Sequence, residues 1–490
     1  MKWVKGILLG LFVLLLILTW SVVGLARETA ACRGGDVESC INIAPEVISK
    51  LETLSRVVPL KQVREPVAIF KKIEPLLEDS EYWLGKNEET VYTVLLLNDR
   101  ELRTFGGFMG SYAVVIVNSG GYEVRFEDIY VPDGQIEGYI APPEPLQRAF
   151  KTGSHRLPNA DWSPDFPKSA TAIRWFFDKG KEVVPDVLIT LNISTMEKIM
   201  GVIGEIEIAE YGETLNQDNF YKWLEDNTEV NFFPGSTQKR DALTATGKML
   251  MQKLENLSFM DKFKVARIIF EDLENKNIVI NSTNESAQNT VHELGWSGEY
   301  APLVVSDEKY QAINVGVVEM NLGVNKANCC VSRVMKQRLV AANGRLVHLI
   351  EVEISNQAPQ EFAVKPKFYG GNYLSYLRFY IPDKAENIQV SALPTITGDL
   401  GLWPQPYSGN SEELDIQQVY GFSEVGLFNT TRAGTSSWIR VVYELEDEGK
   451  DIRLGILKQP GIREVETTLE LLGKTRTINL VDDYVVEIRR

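Results

Sequence analysis

From Ile7 to Ala26 the chain carries no charged side chain, with Lys2 and Lys5 before the run and Arg27-Glu28 after it. About 20 such residues, rising roughly 1.5 Å each as a helix, span the ~30 Å hydrocarbon core of a bilayer. The expectation is a transmembrane helix over 7–26 behind a short tip of residues 1–6. Lys2 and Lys5 favour a cytoplasmic N-terminus, which puts the bulk of the chain on the outer side of a plasma membrane. A cleaved secretory signal is the alternative, since the lysines also suit an n-region and Thr29-Ala30-Ala31 offers small residues for cleavage.

A chain of 490 residues is too long for one compact core, so two or three domains are expected behind this segment. The net charge of -16 excludes general nucleic-acid binding, which needs basic surface to displace counterions from phosphates. An anionic ligand would have to be caught locally, by a few arginines in a cleft. Four cysteines are too few for a disulfide scaffold. Cys32 and Cys40 are close enough in sequence to close a small loop, whereas adjacent Cys329 and Cys330 are not expected to bond each other. The three histidines stand far apart, so neither zinc spacing nor a His-dependent triad can be read.

Past the apolar run, Val47, Ile48, Leu51, Leu54, Val57 and Val58, then Val67, Ile69, Phe70, Ile73, Leu76 and Leu77, recur at helical spacing, which reads as a helical stalk within 27–88. Strands alternating with helices follow. Val91 to Leu97 is a continuous apolar run of the kind buried on both faces, and Asn118-Ser119-Gly120-Gly121 is a hairpin signal between two further strands. A helix opens at Pro167-Lys168-Ser169, Ser194 with Glu197 makes a capping box, and Asp241 to Leu257 is a longer helix. Later the helices stop and strands with turn signals take over, Asn343-Gly344 being the strongest hairpin turn. The expected fold class is α/β: an N-terminal transmembrane helix and helical stalk, a central mixed α/β/α domain over 89–320, and a C-terminal antiparallel β-sandwich over 321–490. The sandwich reads as a spacer or adhesion module.

The chemistry-bearing residues concentrate after the apolar strand, in Asn98-Asp99-Arg100-Glu101-Leu102-Arg103-Thr104-Phe105-Gly106-Gly107-Phe108. Loops at the carboxyl ends of α/β strands are where ligands usually bind. Gly106 and Gly107 permit close approach or positive φ, and Arg100 and Arg103 beside them suit phosphate oxygens. The plainer reading is a glycine turn flanked by ion pairs. In a second loop, Arg156, Asp161 and Asp165 stand among prolines, where Asp165 is either a Mg²⁺ ligand or base, or the cap of the next helix. Asp128 sits near the end of another strand, and Arg240 opens the long helix.

The stretches YTVLLLNDRELRTFGGFMGSYAVVIV, DWSPDFPKSA, DVLITLNISTMEKIMGVIGEIEI, NLGVNKANCC, NYLSYLRFYIP and LKQPG resemble an uncharacterised family of single-pass bacterial envelope proteins, the domain of unknown function four-zero-one-two. Phe105 stands where the usual family form has Pro. That resemblance implies the bacterial plasma membrane as the location and brings no established activity.

A more distant resemblance runs to the LytR-CpsA-Psr proteins, membrane-anchored enzymes that transfer glycopolymers from polyprenyl-pyrophosphate carriers to the cell wall. It implies Asp99 and Asp128 as catalytic residues and ligands of Mg²⁺. Arg103, Arg125 and Arg240 would bind pyrophosphate, with Arg100, Gly106, Gly107, Arg156 and Asp165 as a possible additional pocket. The chain departs from that pattern where the Arg-Asp pair is spread over Arg125-Phe126-Glu127-Asp128, and where Tyr221-Lys222-Trp223 replaces an arginine-rich stretch. Two functions follow as expectations: a Mg-dependent glycopolymer phosphotransferase acting on a polyprenyl-phosphate glycan, or a non-catalytic envelope scaffold or glycan/protein-binding module that retains the α/β fold.

Overall fold

The computed structural model describes residues 61–150, 153–228, 237–359, 370–393 and 415–490. The expected span 7–26, most of the stalk, and Cys32 and Cys40 lie outside the described residues. Among the described residues no helix is long and apolar enough to cross a membrane.

The first domain is built on a five-stranded sheet of β1 (Thr90–Asn98), β2 (Phe108–Asn118), β3 (Gly121–Asp128), β4 (Val187–Asn192) and β7 (Ile280–Ser282), in the order β3-β2-β1-β4-β7. A two-stranded sheet, β5 (Ile206–Ile208) and β6 (Glu213–Leu215), lies outside it. β1 pairs antiparallel with β2 and parallel with β4, so the apolar run Val91–Leu97 is central and buried on both faces, as its composition requires. The Asn118-Ser119-Gly120-Gly121 turn does join β2 to β3.

Helices cover both faces of this sheet. The longer helices, in chain order, are α1 (Lys61–Ile73), α2 (Phe166–Lys179), α3 (Ile193–Ile203), α4 (Phe220–Thr228), α5 (Gln238–Asn256), α6 (Phe259–Glu274) and α7 (Glu285–Glu293). On one face Val91, Leu95, Tyr112 and Val114 pack with Ala170, Ile173, Phe176 and Phe177 of α2. On the other, Tyr92, Val115, Val117 and Ile189 pack with Phe70 and Ile73 of α1, Leu273 of α6 and Val291 of α7. The end of the expected stalk is therefore a layer of this domain. An apolar stripe at helical spacing is the same whether it faces another helix or a sheet.

Twelve strands form the second domain: β8 (Tyr310–Asn321), β9 (Val331–Ala342), β10 (Arg345–Asn356), β11 (Tyr373–Pro382), β12 (Glu386–Leu393), β13 (Asp415–Val419), β14 (Phe422–Thr431), β15 (Thr435–Glu446), β16 (Asp451–Leu457), β17 (Val465–Leu471), β18 (Lys474–Leu480) and β19 (Tyr484–Ile488). They make two six-stranded sheets, β12-β15-β10-β9-β17-β18 and β13-β14-β11-β8-β16-β19. Between the sheets lies one core. Ile313, Leu377, Phe379, Val425 and Leu454 come from one side, and Leu339, Ile350, Ile439, Tyr443 and Leu469 from the other. Asn343 and Gly344, both at positive φ (51° and 75°), turn β9 into β10 as Asn-Gly predicts.

Two expectations need correction here. The sandwich is mixed, because β16 runs parallel to β8 and β17 parallel to β9. It also begins with β8, on the α/β side of the expected boundary at 320, since Tyr310–Asn321 pairs with β11 and β16.

Candidate functional site at the domain seam

Strand alternation sends Tyr376, Arg378 and Tyr380 of β11 away from the sandwich core and toward the α/β domain. Tyr376, Met320 and Phe428 meet Leu146, Ala149 and Trp162, while Tyr380, Val318 and Phe422 meet Tyr300. Burying such side chains is worth roughly 1.5–3 kcal/mol each. The two domains thus share an apolar interface, with a set of buried polar groups inside it.

The glycine-rich loop after β1 is the centre of that seam. Arg103 is 1% exposed; its Nη2 donates to Glu101 at 2.8 Å and its Nη1 to Asn159 at 3.2 Å. Lys326, from the sandwich, takes the other Glu101 oxygen at 3.2 Å. Asn328 ties the same loop twice, receiving the Leu102 N–H on Oδ1 at 2.9 Å and donating its own N–H to the Arg100 carbonyl at 3.0 Å. Gly106 has φ +117°, and what approaches it is the backbone of Gly461: a Cβ on Gly461 would lie 2.2 Å from the Gly106 Cα. Gly107 is equally confined, because its Cβ would lie 2.3 Å from the Asn98 carbonyl carbon. The sequence anticipated a ligand at these glycines; the structure puts the partner domain's Gly461 at Gly106 and the end of β1 at Gly107.

DWSPDFPKSA, NYLSYLRFYIP and LKQPG converge on the same surface. Arg378 is fully enclosed, donates to the Trp162 carbonyl at 2.8 Å and to Thr104 Oγ1 at 3.1 Å, and lies 4.5 Å over the Trp162 ring. Gln459 donates to the carbonyls of Arg103 (3.2 Å) and Glu319 (2.7 Å). Lys458 donates to the Asn275 carbonyl and to Asn277 Oδ1; burial lowers its pKa to about 7, with Asp482, Asp272 and Asp483 opposing. Asp165 caps α2 by accepting from the Lys168 N–H, and its second oxygen accepts from the Tyr300 N–H at 3.0 Å. Of the two roles open to Asp165, the geometry displays the cap.

The predicted pyrophosphate arginines are not brought together. Arg125 and Asp128 lie three residues apart on β3 and so face opposite sides of the sheet. Arg125 pairs with Glu182 after α2, whereas Asp128 receives Lys239 Nζ of α5 at 3.4 Å. Arg240 is exposed beside Asp241 (3.6 Å), and Arg156 only approaches Asp133 (3.8 Å). Arg100 forks onto Glu197 at 2.9 and 3.0 Å, stays 3.2 Å from Asp99, and lies over the Tyr221 ring. Glu197 is therefore spent on Arg100, and Asn192 rather than Ser194 occupies the cap position of α3.

Lys239, one residue before the predicted Arg240, is the cation that reaches Asp128; it also donates to the Gly110 carbonyl at 2.7 Å. Helical geometry turns consecutive residues about 100° apart, and that alone selects Lys239 over its neighbour. Deeper in, Asn98 donates to Glu225 at 2.9 Å. Asp99 faces Arg100 at 3.2 Å and Asp128 faces Lys239 at 3.4 Å, so each of these carboxylates already has a cationic partner. Contrary to expectation, Cys329 and Cys330 are bonded to each other in the turn that presents Lys326 and Asn328.

Residues 87–228 match the family model described as "Protein of unknown function (DUF4012)". That span contains β1 to β4, the Arg103 loop and Asp161. No curated protein matches the chain. Among solved structures, the Lin1025 protein from Listeria innocua is 13% identical, with 46% of this chain and 85% of that one covered at a TM-score of 0.25. TagV of B. subtilis is 9% identical, with 46% and 87% covered at a TM-score of 0.27. Scores of this size carry no argument about the site, whose reading rests on its own geometry.

Proposed function

We propose that this chain is a membrane-anchored, extracytoplasmic protein of the bacterial cell envelope, acting as a non-catalytic scaffold in which the α/β domain and the sandwich form one platform for a cell-wall glycan or protein partner. The observation that carries this reading is the fate of the arginines. Arg103 is sealed inside the seam with Glu101, and Arg125 and Asp128 lie on opposite faces of the sheet. Phosphoryl transfer demands cations gathered where negative charge develops, and these cations serve separate ion pairs instead.

Transfer of a polyprenyl-pyrophosphate glycan is the second reading, supported by the buried Asp128–Lys239 pair at the strand end where the distant resemblance places an acid. The two readings separate in one experiment. The protein is mixed with a polyprenyl-pyrophosphate glycan and Mg²⁺, and in parallel sedimented with purified cell-wall polymer. The scaffold reading expects co-sedimentation with the polymer, no transfer, and no rise in melting temperature with the lipid. Transfer that disappears in Asp128→Asn would overturn it.

A further inference from the structure

We infer that Asp161 is a proton-operated clasp of the domain seam, its buried carboxyl group carried on a loop that a guanidinium of each domain holds, and closing the seam more tightly with a proton than without one. The geometry is specific. Arg103 grips Asn159 and Arg378 grips the Trp162 carbonyl, so the two arginines, one from each domain, take hold of the chain on either side of Asp161. Asp161 is 4% exposed, and neither of its carboxylate oxygens has a hydrogen-bond partner among the described residues. The Nε atoms of Arg103 and Arg378 are also without one.

The charges facing Asp161 come from both domains. Glu101 and Arg103 stand on the loop after β1, and Arg378 stands on β11. Glu101 is already shared between Arg103 and Lys326, and Glu424 of β14 acts on Arg378 from behind. An ionised Asp161 would thus be shut away from water with no side-chain donor and only its own backbone N–H beside it, a costly state for a carboxylate. Burial pushes its pKa up to about 6, with Arg103 and then Arg378 pulling the other way.

The sign follows from linkage. In an opened seam Asp161 is hydrated and titrates near 3.9, so between about pH 4 and 6 the closed form holds a proton that the open form lacks. The contribution of Asp161 to closure is therefore strongest at the acid end of that window, falls as pH rises to about 6, and is level above it. An acidified envelope would stiffen the platform.

Hydrogen exchange of the full chain, corrected for intrinsic rates, tests this at about pH 4.5 and 7.5. Peptides covering 98–110, 157–166, 373–382 and 457–463 are expected to exchange about tenfold more slowly, relative to intrinsic rates, at the acid pH. Asp161→Asn, which mimics the neutral acid, is expected to show that protection already at pH 7.5 and to lose the pH step. Protection that does not change with pH in the unaltered protein, or a pH step retained in Asp161→Asn, would overturn the inference. The unaltered chain supplies the first readout whether or not the variant folds.

Discussion

Gly461→Ala, a change of one methyl group, is expected to lower the unfolding free energy by about 3 kcal/mol or more. Two independent costs add. Gly461 has φ +78°, where a side chain costs roughly 1–2 kcal/mol. Its new Cβ would also stand 2.2 Å from the Gly106 Cα and 2.4 Å from the Gly106 oxygen, and overpacking of that kind typically costs about 1–3 kcal/mol. Both contacts are backbone, so no rotamer change can relieve them; the domains have to separate. Calorimetry should record a lower melting temperature and a broadening toward two transitions. A variant that melted with the unaltered protein would show that the LKQPG loop does not bear on Gly106.

Arg103→Ala is expected to cost about 3–5 kcal/mol, because it leaves Glu101 buried with only Lys326 beside it. Arg240→Ala should stay within about 1 kcal/mol, as exposed ion pairs usually do, and Arg125→Ala should cost less than Arg103→Ala because Arg125 itself is exposed, although its partner Glu182 is half-buried. Urea denaturation of the three variants separates the two roles of Arg103. Were it a pyrophosphate ligand at an open pocket mouth, its removal would leave stability nearly untouched. A loss greatest at Arg103 identifies it as part of the seam.

Local chemistry was the legible part of this fold. Val91 to Leu97 could only be a strand covered on both sides, and Asn118-Ser119-Gly120-Gly121 and Asn343-Gly344 could hardly be other than hairpin turns. The opposite facing of Arg125 and Asp128 was also readable, since residues three apart on a strand never share a face. The preference for Lys239 over Arg240 needed the helix phase as well. The seam was beyond reach: Gly106 has a partner in Gly461, and Arg103 in Gln459, only once both domains are complete. A glycine pair and an arginine look alike in sequence whether they await a phosphate or a second domain. The motif stretches were recognisable as unusual, and their shared destination was not.

The parallel insertion of β16 beside β8 and of β17 beside β9 sets an order of events during synthesis. Both sheets stay unfinished until these late strands emerge, and the Lys458–Gly461 loop arrives between them. The α/β domain can condense earlier, but Arg103 then waits in water for a Gln459 contact spanning 356 positions along the chain. Contacts this distant make folding slow. A nascent chain halted before β16 would leave β8 and β9 as unpaired sheet edges, the kind of surface that chaperones retain and neighbouring chains adhere to.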